Sequence, residues 1–242
     1  MRQRKLKDLD ERMEEFADYI DKDGTQNKGQ WRRIFAGQMI GASWELSRML
    51  YEGIMIEEEV EESLGDDDHE LCLEIGCGKG KFMCDMAGEY PDRMMIGIEG
   101  QESVIVRAAE KIRDAGLWNT YLVSSYVRDI RDYFEDGELD GIFLNFSDPW
   151  PKARHARRRL TCRENLEGYM DVLKDGGFIE FKTDNDDLFD FTLEEIDAMG
   201  YNIDIITRDL AESGLPAEEI RTEYEEKFMK RGIKIKYVRL VK

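Results

Sequence analysis

The chain has 242 residues, 41% apolar and 37% charged, with a formal net charge of −19. That length holds one large α/β domain or two small ones, and the apolar share supports a packed core. No apolar run approaches the roughly 20 residues of a membrane span, and Met1-Arg2-Gln3-Arg4-Lys5-Leu6-Lys7 lacks the apolar segment of a signal peptide, so a soluble cytoplasmic protein without membrane contact is expected. Cys72, Cys77, Cys84 and Cys162 form no CxxC pair, which points to reduced core thiols rather than a zinc site.

As a sum, the charge argues against a polyanionic partner, but the charges are segregated. Nine acids and no Lys or Arg lie between Ile56 and Glu70, whereas six bases and no acid lie between Lys152 and Arg163. Clustered cations are the footprint of a phosphate-bearing partner.

In chain order, residues 1–35 begin basic, alternate in charge and carry Lys28-Gly29-Gln30-Trp31. They predict a partly ordered arm with little core of its own. Ala42, Leu46, Met49 and Leu50 predict a helix over 42–51, and the acidic run after it reads as a helical continuation or a solvated linker. From Glu70 short apolar runs alternate with amphipathic ones. Strands are predicted at 71–75, 94–98, 121–124, 141–144, 178–182, 203–206 and 233–241. Helices fall at 81–87, 103–115, 165–173, 188–199 and 223–230, with a short turn near Ile130 and Gly176-Gly177 as the stop after the third. The expectation is an α/β fold with a mainly parallel seven-stranded sheet and helices on both faces, over 70–242, preceded by an arm and acidic insertion over 1–69.

Ligands in such folds bind off the carboxyl ends of the strands, where strand order reverses. The first strand ends in Glu74-Ile75-Gly76-Cys77-Gly78-Lys79-Gly80. Its glycines permit close backbone approach at a helix start. The third glycine comes one residue early for a dinucleotide motif, and a carboxylate at Glu74 would repel a pyrophosphate but attract a cation. Glu99, 19 residues after Gly80, ends the second strand, where an acid can accept ribose hydroxyls. A nucleoside with a cationic amino-acid tail is S-adenosylmethionine. A nicotinamide site and a purely structural glycine turn are the competing readings.

The fourth strand, beside the first, ends in Asn145-Phe146-Ser147-Asp148-Pro149-Trp150-Pro151 and runs into the basic island. Asn145 and Asp148 would face the reacting group, with prolines stiffening the turn. Trp150 packs or stacks on a base. His155 reads better as a phosphate or packing contact than as a catalytic group, and His69 as solvated.

At these residues the chain resembles the bacterial tRNA (guanine-N7-)-methyltransferases. The resemblance rests on Asn145 to Lys152, Arg154-His155, Arg157-Arg158-Arg159-Leu160, Phe181-Lys182-Thr183-Asp184-Asn185 and Thr222-Glu223-Tyr224-Glu225-Glu226-Lys227-Phe228. Met1-Arg2-Gln3-Arg4 and Lys28 to Trp31 add to it. It implies a Rossmann-like class I S-adenosylmethionine-dependent fold and methylation of guanine 46 in the tRNA variable loop, with monomers and homodimers both suiting the family. It implies donor contacts at Glu74, Glu99 and Asp148, beside the loop glycines Gly76, Gly78 and Gly80, with Asp148 the residue placed at the reaction. Substrate contacts fall at Lys152, Asp184, Thr222, Glu223, Tyr224 and Glu225. Arg154, Arg158 and Arg159 hold tRNA phosphates on this reading. Two features depart: Tyr126 stands where the family commonly has an acidic or amide residue near the adenine, and extra length between Trp31 and Glu70 carries the acidic run.

Guanine N7 has an in-plane lone pair and no proton, so transfer to it needs alignment and a negative field rather than a base. Asp148 and Asp184 are expected to supply that field; the alternative makes Asp148 a base acting on N1. Two rivals remain at the level of sequence. A small-molecule or protein methyltransferase leaves the basic island without a role. A non-catalytic RNA-binding module predicts a damaged donor loop, yet Glu74, Gly76, Gly78, Gly80 and Glu99 are all present. The bland reading of the basic island is a solvated helix start.

Overall fold

Alternating apolar and amphipathic runs fold into one sheet with helices on both faces. The computed structural model describes residues 8–53 and 69–242; Met1-Arg2-Gln3-Arg4 and most of the acidic run lie outside them. First come α1 (Leu9–Glu15), β1 (Ile20–Asp21), α2 (Trp31–Ala42) and α3 (Trp44–Tyr51). Then follow β2 (Glu70–Ile75), α4 (Lys81–Glu89), β3 (Arg93–Ile98), α5 (Glu102–Ala115), β4 (Thr120–Val123) and β5 (Leu139–Asn145). The chain continues with α6 (Arg163–Val172), β6 (Leu173–Thr183), α7 (Asp186–Met199), β7 (Ile203–Thr207), α8 (Glu223–Met229) and β8 (Lys236–Val241).

The strand order is β1-β4-β3-β2-β5-β6-β8-β7. Only β8 runs against its neighbours, β6 and β7. The sheet therefore has eight strands rather than the expected seven. The extra one is β1, whose Ile20 and Asp21 pair with Leu122 and Val123 of β4. Two residues are too few to leave a period-2 pattern in the sequence.

Three predicted boundaries move. Ser43, in extended geometry, ends α2 and separates it from α3, so the predicted helix from Ala42 is the second of a pair. The final strand begins at Lys236 rather than Ile233, after a turn at Gly232. The largest change is at Gly176-Gly177. The helix stops at Val172, β6 starts at once, and the glycines sit in a bulge: Leu173 pairs with Leu139, yet Phe178 pairs with Gly141. Four residues thus stand opposite Asp140 alone. That carboxylate is buried and holds the β2 amide of Leu71 at 2.7 Å, Arg32 at 3.0 Å and the ammonium of Lys174.

Alternation along β2 sorts its side chains. Leu71, Leu73 and Ile75 join the core cluster with Trp31, Tyr169 and Phe189, while Cys72 joins the opposite cluster with Phe82, Met83, Ile105 and Phe143. The arm has no core of its own, yet it adds to both: Met13, Phe16 and Ile20 to one side, Trp31, Phe35 and Ala36 to the other. Trp31 is fully buried, and its indole N–H donates to the Tyr133 carbonyl at 2.9 Å. Burying an indole of that size contributes on the order of 4 kcal/mol. Among the described residues no helix is long and apolar enough to cross a membrane.

Candidate active site

Connections leave β2 toward β3 on one side and reach β5 on the other, so strand order reverses between β2 and β5. A cleft of about 810 Å³ opens there, at the carboxyl ends of the strands. Its walls include Glu74, Gly76, Gly78, Glu99, Tyr126, Asn145, Asp148, Trp150, Arg158, Asp184, Thr222, Glu223 and Tyr224.

One wall is the glycine loop. Gly76, Gly78 and Gly80 all have positive φ, which carries the chain from β2 into α4 in a tight turn. Gly80 is buried outside the cleft and serves packing, since a Cβ there would lie 2.6 Å from that of Ala108. Glu74 follows the alternation of β2 to the α4 side, where it is 2% exposed. Its Oε1 accepts from Asn145 Nδ2 at 2.9 Å, and its Oε2 has no hydrogen-bond partner among the described residues. Burial pushes its carboxyl up to about 8, against the Asn145 amide, the Met83 backbone and the Lys182 ammonium, which pull it down. Glu99 is braced by the backbone amides of Gly78 at 3.2 Å and Gln101 at 2.8 Å, and burial raises it as well. Tyr126 is 71% exposed and lies over Gly100, where a Cβ would meet its ring at 2.3 Å. It offers an aromatic face to the cleft.

The second wall is the end of β5. Three non-glycine residues among those described have positive φ, Asp8, Phe146 and Trp150, and two of them flank Asp148. Such backbone is strained and persists where neighbours hold it. Arg159 is the holder: its Nε donates to the Pro149 carbonyl at 3.0 Å and its Nη2 to that of Trp150 at 3.1 Å, with the guanidinium over Phe191. Arg159 therefore braces the turn and does not line the cleft. Arg158, exposed, stacks over the Trp150 ring at 4.9 Å and does line it. Lys152, just before the short 3-10 segment beyond, and Arg154, on it, are exposed; Arg154 meets His155 at 3.3 Å and His155 packs edge-on against Trp150. His69 is far from this site, half-buried, with Nε2 3.9 Å from Asp92 rather than solvated.

The third wall comes from Asp184, after β6, and from Thr222 to Tyr224, at the start of α8. Thr222 caps α8, accepting from the Glu225 amide at 3.0 Å. Helix geometry then turns Glu225 away from the cleft: it is 1% exposed and 3.4 Å from Lys182 Nζ. Burial raises the Glu225 carboxyl and lowers the Lys182 ammonium. Lys182 also donates to the carbonyls of Ala217 and Ile220, so a single buried cation pins the segment from below. Glu223 bonds Lys79 of the glycine loop at 3.0 Å and Lys111 of α5 at 2.9 Å. Tyr224 is half-exposed and stacks on Phe228.

The cleft thus gathers Glu74, Gly76, Gly78, Glu99, Tyr126, Asp148, Arg158, Asp184, Thr222, Glu223 and Tyr224, and leaves Gly80, Lys152, Arg154, Arg159 and Glu225 outside its walls. Asn145 as the partner of Glu74, and Lys182 as a buried anchor, escaped the reading of the residues. Only the Thr-x-x-Glu spacing of a helix cap hinted that Glu225 points inward. The donor set fits a cationic nucleoside: an orphaned carboxylate oxygen for an ammonium, a second acid for hydroxyls, and an aromatic face.

A family model described as "Putative methyltransferase" matches residues 68–238. A tRNA (guanine-N(7)-)-methyltransferase of Halalkalibacterium halodurans is 46% identical over 165 residues, 68% of this chain and 74% of that protein. One from Limosilactobacillus reuteri is 38% identical over 210 residues, 87% of this chain and 84% of that protein. This chain belongs to that family. Among solved structures, one titled an antibiotic-related methyltransferase superposes with a TM-score of 0.54 at 19% identity, over 78% of this chain and 94% of that one. The 16S rRNA methyltransferase KamB gives 0.53 at 12%, over 76% and 93%. They share the class I methyltransferase fold, here enlarged by β1.

Proposed function

We propose that this enzyme transfers the methyl group of S-adenosylmethionine to N7 of guanine 46 in the variable loop of tRNA. The observation that carries the reading is a single cleft joining an acid-lined glycine loop to the segment after β5 bearing Asp148 and Arg158 and to Asp184 after β6. The relatives' name, tRNA (guanine-N(7)-)-methyltransferase, supports the tRNA guanine. Bound donor supplies an electrophilic methyl on a cationic sulfur. Glu74 holds its ammonium through the unpartnered Oε2, Glu99 takes the ribose hydroxyls, and Tyr126 packs on the adenine. Asp148 and Asp184 orient the guanine edge and provide negative charge where the methylated base becomes cationic. Thr222 and Tyr224 close the other side of the base. On this reading residues 70–242 form the catalytic domain, 1–69 an accessory arm, and the setting is cytoplasmic.

The test is mass spectrometry of nucleosides from unmodified tRNA incubated with enzyme and donor. The expected product is 7-methylguanosine, lost when guanine 46 is replaced by adenine. Its absence from the wild-type tRNA would overturn the reading.

A further inference from the structure

The basic island after β5 is one source of unneutralised cations at the cleft; the structure holds a second. Lys227, Lys230 and Arg231, on the last turn of α8 and just beyond it, are exposed. No carboxylate or carbonyl partners the side chain of any of the three among the described residues, although α8 itself is acidic. The reason is that its acids are committed elsewhere: Glu223 to Lys79 and Lys111, Glu225 to Lys182, and Glu226 to Lys81 at 3.3 Å. Nearby Lys234 and Arg208, by contrast, are taken by Asp209 at 2.8 Å and Asp190 at 2.5 Å. In a chain of net charge −19, three adjacent cations left unpaired stand out.

Their position follows from topology. β8 runs antiparallel to β6, with Lys236 opposite Thr183, so the turn leading into β8 lies at the same end of the sheet as Asp184. In sheet order β6 sits between β5, which leads to the first basic island, and β8, which the second precedes. Two strand spacings, roughly 10 Å, separate the bases of the two groups. The cleft lies between them, with Arg158 on one rim, Lys227 on the other and Asp184 in the wall.

We infer that Lys227, Lys230 and Arg231 form a second phosphate-binding rim, so that the polynucleotide is gripped on both sides of the base that enters the cleft. The partner this surface fits is a nucleic-acid strand with its target base turned out, not a free nucleoside, because one backbone has to reach both rims. The inference rests on the tRNA reading above and adds a second set of contacts to it.

The experiment compares tRNA binding by the wild type with Lys227→Ala/Lys230→Ala/Arg231→Ala across a salt series, with the thermal midpoint as a check on folding. Each phosphate contact to a single strand contributes about 0.7 to the slope of log K against log salt. The triple variant is expected to bind more weakly at low salt and with a slope shallower by about 2. The charge-conserving variant Lys227→Arg/Lys230→Arg/Arg231→Lys is expected to keep the wild-type slope. If the triple variant is poorly folded, Lys230→Ala/Arg231→Ala, beyond the helix, is read in its place, with a slope shallower by about 1.4. A wild-type slope retained in the alanine variants overturns this inference alone; a wild type that fails to bind tRNA overturns it together with the tRNA reading.

Discussion

On the proposed function Glu74 would meet the donor with its carboxyl raised to about 8, so near neutrality the empty site holds it largely protonated. A bound ammonium favours the ionised form, and binding must then expel a proton. Donor affinity measured by calorimetry is therefore expected to climb between about pH 6 and 7.5, by at most about tenfold per unit. Glu74→Gln should bind more weakly and flatten that climb; an equally steep climb in the variant would remove Glu74 from the linkage. Asp148 is a different case. As a fixed negative charge, its replacement in Asp148→Asn should lower kcat by about 10²–10³, with a loss that stays constant across pH. A loss tracking a titrating group would instead make Asp148 a base. Glu74 and Glu99 were legible because they stand at the carboxyl ends of β2 and β3, and Gly76 and Gly78 because they open the turn from β2 into α4. The protonation of Glu74 was not, because its burial depends on β5, where Phe143 pairs with it across the sheet from far away in sequence.

At the scale of elements, α8 depends on a contact from a strand about 40 residues earlier. Lys182→Met leaves the Glu225 carboxyl buried without its cation, a change that costs about 3 kcal/mol. It should lower the thermal midpoint, and Lys182→Met/Glu225→Leu should recover most of it; failure of the double variant to recover would mean that the carbonyl bonds to Ala217 and Ile220 matter more. The resemblance grouped Glu225 with Thr222 to Tyr224 as a run of substrate contacts, but a helix sends consecutive residues in different directions. The order and type of the strands and helices after Glu70 were readable from periodicity, with boundaries shifted most at β6 and β8. The bulge at Gly176-Gly177 was not, because a pair of glycines signals a stop and a bulge equally well, and the buried Asp140 decides between them. Likewise Trp31 in an arm of alternating charge gave no sign of the carbonyl waiting at Tyr133.

For the whole molecule, burial raises Glu74, Glu99, Glu138, Glu180 and Glu225 together. Groups raised in the fold contribute stability that is fully present below their unfolded value, near 4.5, and lost as pH rises through the folded one, about 8 for Glu74. Self-repulsion at a net charge of −19 grows in the same direction. The thermal midpoint should therefore be higher at pH 6 than at pH 8.5, and equal midpoints would contradict the burial of these acids. Below about pH 4 the order reverses, because Asp21, Asp129 and Glu223 are held low by their partners.

The two-residue strand β1 has a further consequence, for life in a crowded solution. It covers the flank of β4, with Asp21 also accepting from the Ser124 amide at 2.7 Å, so that side of the sheet offers few free backbone groups to another chain. At the opposite flank β7 is short and irregular, its pairing shifted between Ile203 and Ile205. Both borders are thus blunted against strand addition. A chain beginning after Asp21 would keep every cleft residue and still be prone to stack edge to edge into aggregates, which light scattering would register before any loss of donor binding.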